Sequence, residues 1–208
     1  MIIFDIGYNC GEFTNHMLKI YPNCKILAVD PDDTYGKNDS RITFINGAVS
    51  NLSNIDVTFY TRHICSPIGS IKPSWMEKIR HSDLIFSGNL YQKQVRSYTL
   101  DELIGVYGIP DIIKLDIEGS ELDALLGLSK KCGTILFEWS EELYSEAIKC
   151  VDVLKKLGYT KFANNVCNEG DPQVMYLDNL VYGSWEETSS GYSIDEKKMN
   201  KWGMIYAK

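Results

Sequence analysis

The 208-residue sequence has no apolar run long enough to cross a bilayer, and its opening MIIFDI is too short and ends too acidic to act as a secretory signal. A cytoplasmic protein with no membrane span is expected. Cysteine is present without pattern: the six, at positions 10, 24, 65, 132, 150 and 167, form no CxxC pair and no regular framework. That argues against structural zinc and a disulfide scaffold, and fits reduced thiols. Basic residues are in deficit, 21 Lys and Arg against 28 Asp and Glu, and the net charge of −7 repels polyanions on average. Nucleic acid is therefore a poor partner and a small or carbohydrate ligand a better one. Repeats, low-complexity tracts and linkers are also missing. With 44% apolar residues to build a core, residues 1–208 read as a single domain.

Five apolar, β-branched runs have the length of buried strands: 1–6, 25–30, 42–47, 111–116 and 134–139. Helical patterns lie between most of them, at 11–21, 99–107, 120–128 and 141–158, the last being the longest amphipathic stretch. This alternation predicts an α/β protein with a parallel sheet covered on both faces. Residues 50–98 break the rhythm and read as an insertion, with short strands at DVTFYT and KQVRSY around a loop containing SPIGS and KPSW. In the tail, GYTKFAN and VMYLDNLVYG predict two late strands at an antiparallel edge, followed by a helix over 193–202.

The first chemical motif is FDIGYNCGEFT, a strand running into Gly7 and Gly11 and then a helix. Ligands of doubly wound folds lie at such a turn, where a side chain would clash with the approaching molecule. The spacing is Gly-x-x-x-Gly, with Asn9 and Glu12 where dinucleotide binders keep glycine, and Glu12 would meet a pyrophosphate poorly. S-adenosylmethionine (SAM) carries no phosphate. Its ammonium and carboxylate suit an acidic Asp5 beside free backbone N–H groups. Nineteen residues after Gly11 the second strand ends in VDPDD, placing Asp30 to accept hydrogen bonds from ribose hydroxyls. Alone, each glycine would be an ordinary tight turn and Asp30 a helix cap; their joint spacing carries the reading.

The second motif is IIKLDIEGSE. Lys114, Asp116 and Glu118 alternate along a strand and so share one face. Charges in a central strand must be paired or lie at its open carboxyl end, so these residues either form a buried ion pair or line the ligand crevice. For Asp116 the crevice is the better reading, whereas Glu121 reads as a helix-start acid.

Taken in order, FDIGYNCGEFT, VDPD, INGAVS, TLDEL and IIKLDIEGSELDALLG resemble the FkbM-type family of SAM-dependent O-methyltransferases over roughly residues 3–140. The resemblance implies a seven-stranded, doubly wound, Rossmann-like sheet, mostly parallel with an antiparallel strand near one edge, and methylation of hydroxyls on sugars or secondary-metabolite scaffolds. It implies that Asp5, Gly7, Asn9 and Gly11 line the cofactor's methionine end with Thr14 close by. Asp30 and the adjoining Pro31 would hold the ribose, and Asn46 and Ala48 the adenine. Asp116 and Glu118 would face the reacting centre. Tyr8 stands where the family usually has alanine, and would either add a ring over the cofactor or alter the pocket mouth. The family also commonly carries a helical segment ahead of the first strand. Here the sequence opens on that strand, so a lid is expected from the insertion at 60–95, from a partner subunit in a homodimer, or not at all.

Methyl transfer to oxygen needs in-line alignment and removal of the acceptor's proton. Asp116 is the first candidate for the base, with Lys114 in the same set. Glu138, at the end of the next strand, would lie beside Asp116, and the two carboxylates could hold Mg²⁺ that lowers the hydroxyl pKa. Of the three histidines, His63 in the insertion is the one placed to act as a base, and Arg62, Trp75 and Tyr91 could bind a sugar by charge and stacking. Three alternatives stay open: an RNA ribose methyltransferase, a SAM-fold binding module without catalysis, and a nicotinamide oxidoreductase.

Overall fold

In a computed structural model of the chain, residues 1–33, 38–62, 68–78, 90–168, 180–189 and 201–208 are described. The expected alternation is present. Strand β1 (Ile2–Ile6) leads through helix α1 (Glu12–Ile20) to β2 (Lys25–Asp30) and β3 (Ile42–Asn46). The short β4 (Ala48–Val49) follows, and the insertion supplies β5 (Asp56–Thr61), α2 (Pro73–Lys78) and β6 (Tyr91–Tyr98). The main sheet resumes with α3 (Leu100–Tyr107), β7 (Ile112–Leu115), α4 (Glu121–Leu126) and β8 (Thr134–Ser140). A 3₁₀ turn at Glu141–Leu143 then runs into α5 (Tyr144–Lys156). The chain closes with β9 (Phe162–Asn168), α6 (Trp185–Ser189) and β10 (Lys201–Ala207).

The seven-stranded sheet has the order β3-β2-β1-β7-β8-β10-β9, and β4-β6-β5 form a separate three-stranded sheet. β10 runs antiparallel to both of its neighbours, while the other pairings in the large sheet are parallel. Because β1 is followed by β2 and β3 on one side and by β7 and β8 on the other, the strand order reverses at β1/β7. Connections leave in opposite directions there and open a crevice at the carboxyl ends. The register sets Asp5 opposite Lys114, and Leu115 opposite Phe137.

Alternation along the strands divides the core in two. Phe4, Ile6, Ile113, Leu115 and Phe137 pack toward α3, α4 and α5, while Ile3, Ile112 and Leu136 pack with Phe13 and Met17 of α1. Asp5, Lys114, Asp116 and Glu138 continue the second set, so the motif charges all fall on the α1 face. Helix α3 is bounded by its own chemistry: the Thr99 side chain accepts the Glu102 N–H at 3.1 Å, and Gly108 ends the helix at φ 94.

The tail departs from expectation. β10 is a strand the sequence did not suggest; of the expected 174–183 strand, residues 174–179 lie outside the described residues, and its last residue, Gly183, makes an isolated antiparallel bridge to Phe162. Most of the expected helix over 193–202 also lies outside the described residues, and its last two residues, Lys201 and Trp202, open β10. A strand inserted between β8 and β9 pairs on both sides, and that non-local bonding outweighs the local helical pattern.

Candidate active site

Beneath the crevice lies a closed polar cluster. Asp5 is fully buried, with Oδ2 accepting the Thr14 hydroxyl at 2.6 Å and Oδ1 lying 3.3 Å from the Lys114 ammonium. Lys114 also reaches Asp116 Oδ2 at 3.2 Å and donates to the Gly7 carbonyl at 2.5 Å. Burial pulls the Lys114 pKa down, but Asp116 and Asp5 outweigh it and hold the amine above its usual range. Lys114 is thus a fixed cation tying β1 to β7, and Asp5 and Thr14 are buried together beneath the turn, neither among the residues lining the cleft.

The turn itself uses three left-handed residues, Gly7 (φ 86), Asn9 (φ 46) and Gly11 (φ 80). At Gly7 a Cβ would stand 1.8 Å from the Asp116 carbonyl oxygen, so only glycine permits the ends of β1 and β7 to meet. The N–H groups expected to be free are spent inside the protein: Gly7 and Tyr8 donate to the Val29 carbonyl, Gly11 to Tyr8, and Asn9 to Asp30 Oδ2 at 2.7 Å. Asp30 also accepts the Asp32 N–H at 2.7 Å. Its pKa is raised by burial, partly offset by those two N–H groups.

A cleft opens above this base. Gly7, Asn9, Asp30, Pro31, Asp32 and Gly47–Val49 line one part of it, and Asp116, Glu118 and Ser120 another. Phe59, Thr61 and Gly69–Ile71 of the insertion form the remaining wall. Four acidic residues, Asp30, Asp32, Asp116 and Glu118, line this space, and among the described residues lining it there is no lysine or arginine.

At the carboxyl ends of β7 and β8, Asp116, Glu118 and Glu138 each place a carboxylate oxygen within 4.8 Å of the others. Glu138 therefore stands beside Asp116, as the sequence suggested. Burial raises the pKa of both Glu118 and Glu138 well above the usual carboxylate range, and the neighbouring Asp116 charge raises each further. Glu121 behind them accepts the Ile117 N–H at 2.9 Å, and burial lifts its pKa to about 7.

A comparison with protein families places this geometry. The family model described as the methyltransferase FkbM domain matches residues 5–161. The chain belongs to the FkbM methyltransferase family. A search of curated proteins finds no match. Similar solved structures include a precorrin-6y C5,15-methyltransferase from Geobacter metallireducens GS-15, at 12% identity and TM-score 0.43 over 100% of this chain and 78% of that one. A 16S rRNA (adenine(1408)-N(1))-methyltransferase mutant from Catenulisporales acidiphilia has 10% identity and TM-score 0.42, over 99% and 86%. The plantazolicin methyltransferase in complex with SAH has 10% identity and TM-score 0.40, over 100% and 76%.

Against the FkbM pattern, Tyr8 is the departure whose outcome is now visible. Its ring is buried, packs edge-on to Phe44 at 5.7 Å and folds over Gly11, where a Cβ would meet it at 2.5 Å. It is not among the residues that line the cleft. Asn46 is likewise set back: its amide donates to the carbonyls of Asp30 and Pro31, at 3.2 and 2.8 Å, and fixes the turn beside the cleft while Ala48 lines it.

His63 lies outside the described residues. Arg62 is buried. Trp75 is buried too, with its indole N–H on Glu118 Oε2 at 3.1 Å, which removes it as an open stacking surface. Tyr91 remains exposed, opposite Thr61 in the β5/β6 register. Sequence reasoning did not single out Phe59 or Ser70, whose place on the cleft wall depends on how the insertion folds back, and it read Ser120 only as a helix-start residue.

Proposed function

We propose that this FkbM-family chain transfers the methyl group of S-adenosylmethionine to a hydroxyl of a sugar or other small polyhydroxylated acceptor in the cytoplasm. The observation that carries this reading is the clustering of Asp116 and Glu118, both on the cleft wall, with Glu138, in a cleft that Asn9 and Asp30, joined by a hydrogen bond, also line. An acidic cleft without lining cations suits a cofactor bearing an ammonium and a sulfonium, and disfavours the pyrophosphate of a dinucleotide. Gly7, Asn9, Asp30, Pro31, Asp32 and Ala48 would hold it, Asp30 through the acceptor capacity its two carboxylate oxygens keep beyond the Asn9 and Asp32 N–H groups. When bound, SAM supplies an electrophilic methyl carbon.

The chain's own residues supply orientation and basicity. Carboxylates accept hydrogen bonds from hydroxyls, two at a time from a vicinal diol, and so orient a polyhydroxylated acceptor. Asp116 is already engaged by the Lys114 ammonium, 3.2 Å from its Oδ2. Glu118 also lines the cleft and makes no ion pair with a described lysine or arginine, so it takes the hydroxyl proton. Cys10, Cys24, Cys132 and Cys150 are unpaired, which fits a reducing compartment.

RNA is the weaker acceptor. Among the described residues near the cleft, Lys72 lies on Asp123, Lys93 on Asp33, and Lys114 on Asp5 and Asp116, which leaves no track of unpaired cations for phosphates. A second reading of the same triad is a Mg²⁺ site formed by Asp116, Glu118 and Glu138, favoured by their mutual approach within 4.8 Å.

The test is transfer of labelled methyl from SAM to a panel of methyl glycosides, free sugars and nucleotide sugars, with and without EDTA. Thermal shifts with S-adenosylhomocysteine and NAD run beside it. Methylation of a neutral sugar and stabilisation by S-adenosylhomocysteine are expected. Stabilisation by NAD alone, or labelling of RNA and of no sugar, would overturn the reading, and loss of transfer in EDTA would select the metal form.

A further inference from the structure

The inserted segment does more than roof the cleft. Glu118 is a non-glycine residue at φ 54, followed by Gly119 at φ 87, a backbone conformation that persists only where its surroundings impose it. Two side chains of the insertion grip this one residue from different sides. The Ser70 hydroxyl donates to the Glu118 carbonyl at 2.7 Å while accepting the Lys72 N–H at 3.0 Å, and the Trp75 indole N–H donates to Glu118 Oε2 at 3.1 Å. Ser70 is itself held by paired backbone bonds to Tyr60 of β5. The Trp75 ring is fixed in a cluster with Met76, Tyr60, Ile68 and Leu143. A Cβ at Gly119 would meet the ring at an ordinary contact distance of 3.6 Å and Leu143 of the same cluster at 2.7 Å.

We propose that Trp75 is a positioning residue for methyl transfer: its indole N–H fixes the Glu118 carboxylate at the acceptor end of the cleft, so the insertion sets the geometry of the base. The proposal rests on the reading of Glu118 as the proton acceptor. A free glutamate side chain samples many rotamers, and a base displaced by about 1 Å loses roughly 100-fold in rate. The indole offers one donor from a rigid, buried ring, and so narrows Glu118 to one arrangement without competing for its second oxygen. The other oxygen stays available to a hydroxyl.

Two measurements test this on the full chain. In a ¹H–¹⁵N spectrum the four tryptophans give four indole resonances, and the one lost in Trp75→Phe belongs to Trp75. Glu118→Gln is expected to shift that resonance while leaving the other three in place; an unmoved Trp75 resonance overturns the contact. With whichever panel sugar is methylated, Trp75→Phe is expected to lower kcat roughly 10- to 100-fold while the S-adenosylhomocysteine Kd, by calorimetry, stays within about twofold. Added to Glu118→Gln, it should lower kcat no further. An equal additional loss in that background, or a fall in kcat matched by weakened cofactor binding, overturns the positioning role. Full activity of Glu118→Gln would instead remove Glu118 as the base, and failure of every panel sugar would remove the proposed reaction; the indole resonance still decides the contact in both cases. Should Trp75→Phe not fold, Ser70→Ala replaces it as the kinetic variant, and the Glu118→Gln shift is read in protein that retains Trp75.

Discussion

Glu121 begins α4 with its carboxyl buried and Oε1 accepting the Ile117 N–H, and burial raises its pKa from 4.5 to about 7. The native protein therefore holds this proton more tightly than the unfolded chain. Stability from this group is fully present below pH 4.5 and is lost as the pH rises through about 7. Glu121→Gln keeps the acceptor for the Ile117 N–H and removes the titration. It is expected to be more stable than wild type at pH 8, by about 3 kcal/mol at most, and to match it near pH 4.5. Urea unfolding at the two pH values checks this; a difference that grows on acidification would contradict it. Removing Lys114 is expected to have the opposite effect on stability. Lys114→Met would leave Asp5 and Asp116 without their cation, and removing one partner of a buried ion pair costs about 3 to 5 kcal/mol. Unfolding at pH 7 should show that loss, with part of it restored when Asp5→Asn is added.

At the scale of elements, the β5/β6 ladder sets Tyr91 directly opposite Thr61, and residues opposite one another in a ladder point to the same face. Thr61 lines the cleft, so the exposed Tyr91 ring stands beside its mouth, where a sugar ring can stack. Tyr91→Ala is expected to raise the acceptor KM severalfold with kcat and S-adenosylhomocysteine affinity unchanged, and Tyr91→Phe to behave as wild type; steady-state kinetics separate the two. The central strands were legible because each is a short apolar run bounded by turn residues, and Asp30, Asp116 and Glu138 followed from being at strand ends. The roles of Asp5 and Trp75 were not. An acid in a glycine-rich turn can face a ligand or a buried lysine, and only the register that sets Asp5 opposite Lys114 decides between them. An indole in an insertion can be core, stacking surface or hydrogen-bond donor, and only its tertiary contact with Glu118 assigns the last.

For the molecule as a whole, the last strand is the one on which closure of the sheet depends. β10 pairs with β8 over Trp202–Ala207 and with β9 over Lys201–Ala207, so every bond between β9 and the rest of the large sheet passes through it. Its sequence gives little local sign of this, since KWGMIYA has a glycine as its third residue and a lysine at its start. The glycine is required where it stands: a Cβ at Gly203 would lie 2.0 Å from the Asn165 carbonyl oxygen and 3.0 Å from the Trp139 indole nitrogen. Met204, Ile205 and Tyr206 are buried and join both hydrophobic clusters, so this strand binds the two faces of the core together. Removing residues 201–208 would expose the edges of β8 and β9 and uncover apolar surface on both faces at once. Such a truncation is expected to abolish cooperative unfolding rather than merely lower its midpoint, and Gly203→Val to shift the same equilibrium strongly toward the unfolded state. Urea titrations followed by circular dichroism and tryptophan fluorescence check both variants. A truncated chain that unfolds in one sharp transition near the wild-type midpoint would show that the parallel strands hold the cleft without their C-terminal partner.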